Sequence, residues 1–205
     1  DSFRARAVIN DPGIYAHASA DREAYWADWA GHLDWFETWE QVLEWTPPYA
    51  KWFTGGKLNV SYNCLDRHLE AGHSDRTALI WEGEPGDERT YTYAELHEEV
   101  CRFANALKRL GVKKGDRVFI MLPRIPEWYV VMLGLIKLGA LPMPGTTLLT
   151  SKDIEYRINT AEAVMAITDG ENAEKIDEAA GGCPTLQHLV VVAGGRRGWV
   201  SFEEE

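Results

Sequence analysis

Hydrophobic and polar positions change their rhythm along this chain near residue 77. Upstream, Trp26, Trp29 and Leu33 recur at three-to-four spacing, the mark of one apolar helix face. Ser19, ahead of Arg22-Glu23, reads as an N-cap for that helix. Pro47-Pro48 ends any helix in this region, and Thr54-Gly55-Gly56 reads as a turn. Downstream, residues 77–81 read as a strand and 89–93 as its hairpin partner across Glu84-Pro85-Gly86-Asp87. Thr92 then caps a helix, with Glu95 completing a capping box. Leu96, Val100, Phe103, Ala104, Leu107 and Leu110 share one face of it, and Gly111 stops it.

From there strands and helices alternate. Strands are predicted at 117–122, 140–143, 163–168 and 189–192, with helices at 126–138, 151–159 and 171–180 between them. Proline opens the first of these helices, as its fixed φ prefers. Strands joined by helices of this length are βαβ units, so the fold class is α/β with a mainly parallel sheet. Residues 201–205 read as the start of one more helix, so the domain is expected to be incomplete. Two parts follow from the change of rhythm: residues 1–76, a mostly helical extension, and 77–205, the first units of the α/β domain. Six of the nine tryptophans, Trp26 to Trp52, crowd the extension, where packing is a commoner use of such rings than recognition.

Charge narrows the function. Lys+Arg 21 against Asp+Glu 32 gives −11, a field that repels a phosphate-rich polymer, so no nucleic-acid partner is expected. No apolar run reaches the ~20 residues of a membrane span, and the first residues carry no apolar signal core, so a cytoplasmic protein is expected. Cys64, Cys101 and Cys183 form no CxxC and have no histidine at ligand spacing, which predicts reduced, mostly buried thiols and no metal site. Phosphate loops, dinucleotide fingerprints and nucleophile elbows are all missing, so no catalytic residue is assigned. Asn63-Cys64-Leu65-Asp66-Arg67-His68 has two readings: ligand contacts with His68 as a base, or a polar helix start capped by Asn63 over buried Leu65 and Leu69. The second is the more economical, and Arg124 and Glu127 likewise read as an ordering pair.

Several ungapped stretches carry a resemblance. Gly55-Gly56-Lys57-Leu58-Asn59, followed by Asn63-Cys64-Leu65-Asp66-Arg67-His68, resembles the N-terminal segment of acetyl- and propionyl-CoA synthetases. Thr90-Tyr91-Thr92-Tyr93-Ala94-Glu95-Leu96 and Gly111-Val112-Lys113-Lys114-Gly115-Asp116-Arg117-Val118 resemble the opening of adenylate-forming enzymes. Leu122-Pro123-Arg124-Ile125-Pro126-Glu127-Trp128 and Pro142-Met143-Pro144-Gly145-Thr146-Thr147 are similar to the medium-chain acyl-CoA synthetase branch, and Cys183-Pro184-Thr185-Leu186 and Gly198-Trp199 continue it.

The resemblance implies a parent enzyme that joins a short- to medium-chain carboxylic acid to ATP, forming acyl-AMP, and then to coenzyme A. It implies ATP, coenzyme A and Mg2+ as the parent's cofactors, with the remainder of the parent chain as partner. The family's hydroxyl-rich phosphate loop ending in Pro-Lys is missing here, so the isolated chain is expected to be inactive. By the same resemblance Gly145, Thr146, Thr147 and Leu148 lie against coenzyme A, although Leu148 replaces the glutamine of the medium-chain branch. Between residues 171 and 177 only Lys175 is cationic. The rival reading is a free-standing binding or interaction module derived from such an enzyme.

Overall fold

A computed structural model describes residues 2–204. The chain divides into two compact units, one ending at Leu58 and the other beginning at Asn59.

The first unit carries three helices, α1 (Ser2–Arg6), α2 (Ile14–Ala20) and α3 (Arg22–Ala30), followed by strands β1 (Gln41–Thr46) and β2 (Tyr49–Thr54). Helix α3 carries Trp26 and Trp29 but ends before Leu33, and its cap is Asp21, whose side chain accepts from the Ala24 amide at 2.9 Å. Ser19 instead belongs to α2, and its hydroxyl donates to the Tyr15 carbonyl. Asp21 wins because its backbone is extended (φ −146°, ψ 95°), as an N-cap requires. The antiparallel hairpin β1–β2 adds to the helical expectation; it turns at Pro47-Pro48, joined by a cis bond. Trp35, Trp39 and Phe53 form an aromatic cluster with ring centroids 5.0 to 5.6 Å apart.

The second unit opens with a π-helical turn (Tyr62–Asp66) running into α4 (Arg67–Glu70). The predicted hairpin follows as β3 (Thr77–Glu82) and β4 (Glu88–Thr92). Thr92 and Glu95 make both bonds of the capping box at the start of α5 (Tyr93–Arg109). Then come β5 (Arg117–Met121), α6 (Pro126–Leu138), β6 (Leu141–Pro144), α7 (Ser151–Ala161), β7 (Met165–Asp169), α8 (Ala173–Ala180), β8 (His188–Val192) and β9 (Val200–Ser201). Thr150 and Asp153 form a second capping box at α7.

The five strands β5 to β9 are all parallel, in the order β6-β5-β7-β8-β9. Side chains alternate between two faces, as the period of two demands. Val118 and Ile120 join α5 and α6 residues such as Val100, Leu107 and Leu135 in one cluster. Phe119 and Met121 join Ile154, Ile158 and Ile176 from α7 and α8 in the other. Helices on both faces of a parallel sheet make a doubly wound α/β unit.

The end of the chain departs from expectation. Where a helix was predicted from residue 201, Val200–Ser201 adds β9 beside β8. Local contacts hold it there: Phe202 packs 5.0 Å from Phe103, and Glu203 accepts from the Ala193 amide at 2.6 Å. No helix among the described residues is long and apolar enough to cross a membrane.

Candidate functional site

Strand order decides where a site can form. From β5 the chain steps to β6 on one side, then crosses to β7 and continues on the other. Loops leaving the carboxyl ends of β5 and β7 therefore diverge, and open α/β sheets bind ligands at such a switch point. Here the Thr168 hydroxyl donates to the Met121 carbonyl at 2.6 Å, tying β7 to β5. Asp169, only 8% exposed, accepts from the Asn172 amide and side chain at 3.1 and 2.8 Å. Lys175 on α8 donates to the Asn172 side-chain oxygen at 3.2 Å and to the Thr147 carbonyl at 2.7 Å. A continuous polar chain thus links the loop after β7 to the loop after β6. Asp169 and Asn172 escaped the sequence reading; their spacing ahead of a helix, an Asx-type turn, was the available signal.

Gly145, Thr146, Thr147 and Leu148 form that second loop. The Gly145 amide donates to the Ile120 carbonyl at 2.7 Å, extending the β5–β6 ladder by one residue. A β-carbon there would meet the Leu149 side chain at 2.8 Å and the Phe119 ring at 3.1 Å. Glycine is therefore required by the protein's own packing at this point. The Thr146 hydroxyl accepts from the Leu148 amide at 3.3 Å, and its carbonyl from the Leu149 amide at 3.2 Å. Leu148 is 87% exposed. The amides of Thr146 and Thr147 make no hydrogen bond among the described residues. Two open N–H groups beside the Lys175 ammonium suit an amide- or phosphate-bearing ligand.

A cleft of about 270 Å³ lies at the start of α6, walled by Trp81, Leu122, Ile125, Trp128 and Tyr129. Arg124 and Glu127, expected to pair with each other, take different partners. Trp81 donates its indole N–H to the Arg124 carbonyl at 2.7 Å, and Arg89 of β4 pairs with Glu127. The Arg89 guanidinium also lies 5.4 Å over the Trp81 ring, so the hairpin supplies both contacts.

The segment from Asn63 to His68 is built into the fold. Lys137 of α6 holds both Asp66 oxygens, at 2.6 and 2.7 Å, and His97 of α5 lies 3.2 Å from one of them. Burial alone would raise the Asp66 pKa, but Lys137 and His97 together outweigh it and hold the carboxyl below its usual range. The expected cap belongs to Asn59, whose side chain accepts from the Tyr62 amide at 3.2 Å. Asn63 instead accepts from Arg67, and the His68 ring lies 4.7 Å from Tyr93. Cys183 is buried as expected, whereas Cys64 is exposed and Cys101 half-buried. No group of three His, Cys, Asp or Glu side chains suited to a metal ion occurs among the described residues.

A doubly wound sheet suits many chemistries, and comparison with known proteins separates them. The family model for AMP-binding enzymes matches residues 65–205. The chain belongs to that family. The model for the acetyl-coenzyme A synthetase N-terminus matches residues 13–64 just ahead of it. Similar relatives include an acetyl-coenzyme A synthetase of Rubrobacter xylanophilus, 45% identical over 94% of this chain and 31% of its own length. That of Gemmatimonas aurantiaca is 42% identical over 97% of this chain and 32% of its own. That of Mycolicibacterium smegmatis is 46% identical over 87% of this chain and 20% of its own. The chain thus spans about a third, or less, of the length of these relatives. The match of this family member runs through both units and through every loop described above.

Proposed function

We propose that this chain is the amino-terminal portion of a cytoplasmic, AMP-forming carboxylate–CoA ligase for a short- to medium-chain acid. The observation that carries the reading is the order of two family matches, N-terminal segment then AMP-binding domain, over relatives that are acetyl-coenzyme A synthetases. In this reading the parent uses ATP, Mg2+ and coenzyme A, and the remainder of its chain supplies the phosphate-binding loop and the acyl pocket. The hydroxyl-rich loop ending in Pro-Lys that would hold the phosphoryl charge does not occur in the 205 residues, so they alone do not adenylate. The chain's own contribution is the loop 145–148. The open amides of Thr146 and Thr147 and the Lys175 ammonium face the pantetheine or phosphate portion of coenzyme A.

A chimera tests this. The chain replaces the matching segment of the Rubrobacter xylanophilus acetyl-coenzyme A synthetase, and acetate-dependent exchange of pyrophosphate into ATP is measured. The chimera is expected to exchange and the chain alone to give none. A folded but silent chimera, or an active isolated chain, would sink the reading. Within an active chimera, Lys175→Gln is expected to raise the apparent KM for coenzyme A several-fold while exchange stays near the parent level. Equal loss in both half-reactions would remove the coenzyme A contact.

A further inference from the structure

The cleft at the start of α6 is walled mainly by ring and aliphatic surface. Trp81, Leu122, Ile125, Trp128 and Tyr129 line a space of about 270 Å³, and Tyr129 is 43% exposed. The indole N–H of Trp81 is already bound to the Arg124 carbonyl, so the Trp81 wall presents apolar atoms only. Covering such surface is worth about 25 cal/mol for each Å² removed from water. The space is smaller than the roughly 300–1,000 Å³ of small-molecule pockets and suits one or two apolar side chains.

A second hollow of about 240 Å³ lies beside it, lined by Tyr91, Phe103, Glu127, Phe202 and Glu203 among others. The Arg89–Glu127 pair divides the two. Glu127 lines the second hollow, while Arg89 lies over the Trp81 ring that walls the first. Residues 202 and 203 are fixed here, Phe202 against Phe103 and Glu203 on the Ala193 amide. Glu203 therefore stands one ion pair away from the aromatic cleft. The Rubrobacter xylanophilus and Gemmatimonas aurantiaca enzymes have more than two thirds of their length outside the part matched here.

We propose that the segment following residue 205 in the parent chain packs apolar side chains into the cleft walled by Trp81, Trp128 and Tyr129. The proposal rests on the reading of this chain as an amino-terminal portion. Each extended residue spans about 3.4 Å, so a short stretch of backbone leads from Glu203 past the ion pair to the cleft. Tethering gives such a segment an effective concentration on the order of millimolar, and modest apolar contacts then suffice to hold it. Arg89 prepares the surface by holding the Trp81 wall and the first turn of α6 together.

Hydroxyl-radical footprinting, read by mass spectrometry, tests this on three proteins. They are the 205-residue chain, the same chain extended by about 40 residues of the Rubrobacter xylanophilus enzyme (a reach of roughly 130 Å), and the full chimera. Modification of Trp81, Trp128 and Tyr129 is expected to fall several-fold in the extended chain and in the chimera. Tyr156, 70% exposed on α7, should stay unchanged in the extended chain. Unaltered modification of the cleft in both longer proteins would overturn the proposal. So would protection in the chimera but not in a folded extended chain, because a later part of the parent would then be the occupant. Protection of the 205-residue chain that grows with its concentration would assign the cleft to a second copy instead. Modification of Met121, fully buried, would mark an unfolded extended chain, and Tyr129→Ser then decides. It should lower the melting temperature of the chimera by several degrees and that of the 205-residue chain by less; equal shifts would overturn the proposal. Pyrophosphate exchange separates the two claims. An active chimera with an uncovered cleft removes the docking and leaves the ligase reading, and a silent chimera with a covered cleft does the reverse.

Discussion

At Asp66 two opposed effects act on one carboxyl. Burial favours its neutral form, while the Lys137 ammonium and His97 favour the charged one and win. Because the folded pKa is depressed, the stabilisation is present above the unfolded value of about 3.9 and is lost as pH falls through the folded value. Asp66→Asn keeps the shape and leaves Lys137 half-buried without its counter-charge. The expected cost at pH 7 is about 1–3 kcal/mol, between an exposed pair and a fully buried one. Urea unfolding of both proteins at pH 7 and near pH 3 checks it: the difference should shrink in acid, and a constant difference would mean that charge is not the cause. From sequence this residue kept two readings because its decisive partner, Lys137, lies 71 positions away. Gly145 shows the same limit. Its place at a strand end was legible, but the Phe119 and Leu149 side chains that forbid a β-carbon were not.

Legibility at the level of elements follows how local the determining forces are. Helices α5 and α6 stood out because capping box, terminal proline and apolar face all lie within the segment itself. The Thr150–Asp153 box at α7 uses the same device with a shorter acid, outside the Glu or Gln pattern that marks such a box in a sequence. The β1–β2 hairpin was not expected, since β1 buries only Leu43 and shows no regular alternation. Strand β9 is two residues long and is fixed by the Ala193 amide and by Phe103, the latter far away in the chain. Edge strand β6 carries a device that sequence and structure reveal only together. The amides of Leu141 and Gly145 point to β5, so by alternation those of residues 142 and 144 point outward. Both positions are proline, and the free edge of β6 therefore offers no N–H for another strand to accept.

For the molecule as a whole, the two units differ in how much core each owns. Among the described residues of 1–58 the buried hydrophobic side chains are Ala30 and Leu43, while Trp26, Trp29, Trp45 and Trp52 are all at least 38% exposed. Both large hydrophobic clusters fall within residues 59–205. A unit of about 150 residues buries roughly 68–70% of its unfolded surface, enough to offset chain entropy, whereas one of about 60 is marginal. Residues 59–205 expressed alone should therefore fold, with the circular dichroism of a mixed α/β protein and one cooperative urea transition. Residues 1–58 alone should lack a cooperative transition, since two buried side chains release only a few kcal/mol against the ordering of the whole segment. The Lys137–Asp66 pair gives an internal control, because both partners remain in the longer piece: Asp66→Asn should destabilise it by the same amount as in the full chain. A gradual, non-cooperative melt of residues 59–205 would sink the claim that the two clusters form a self-sufficient core.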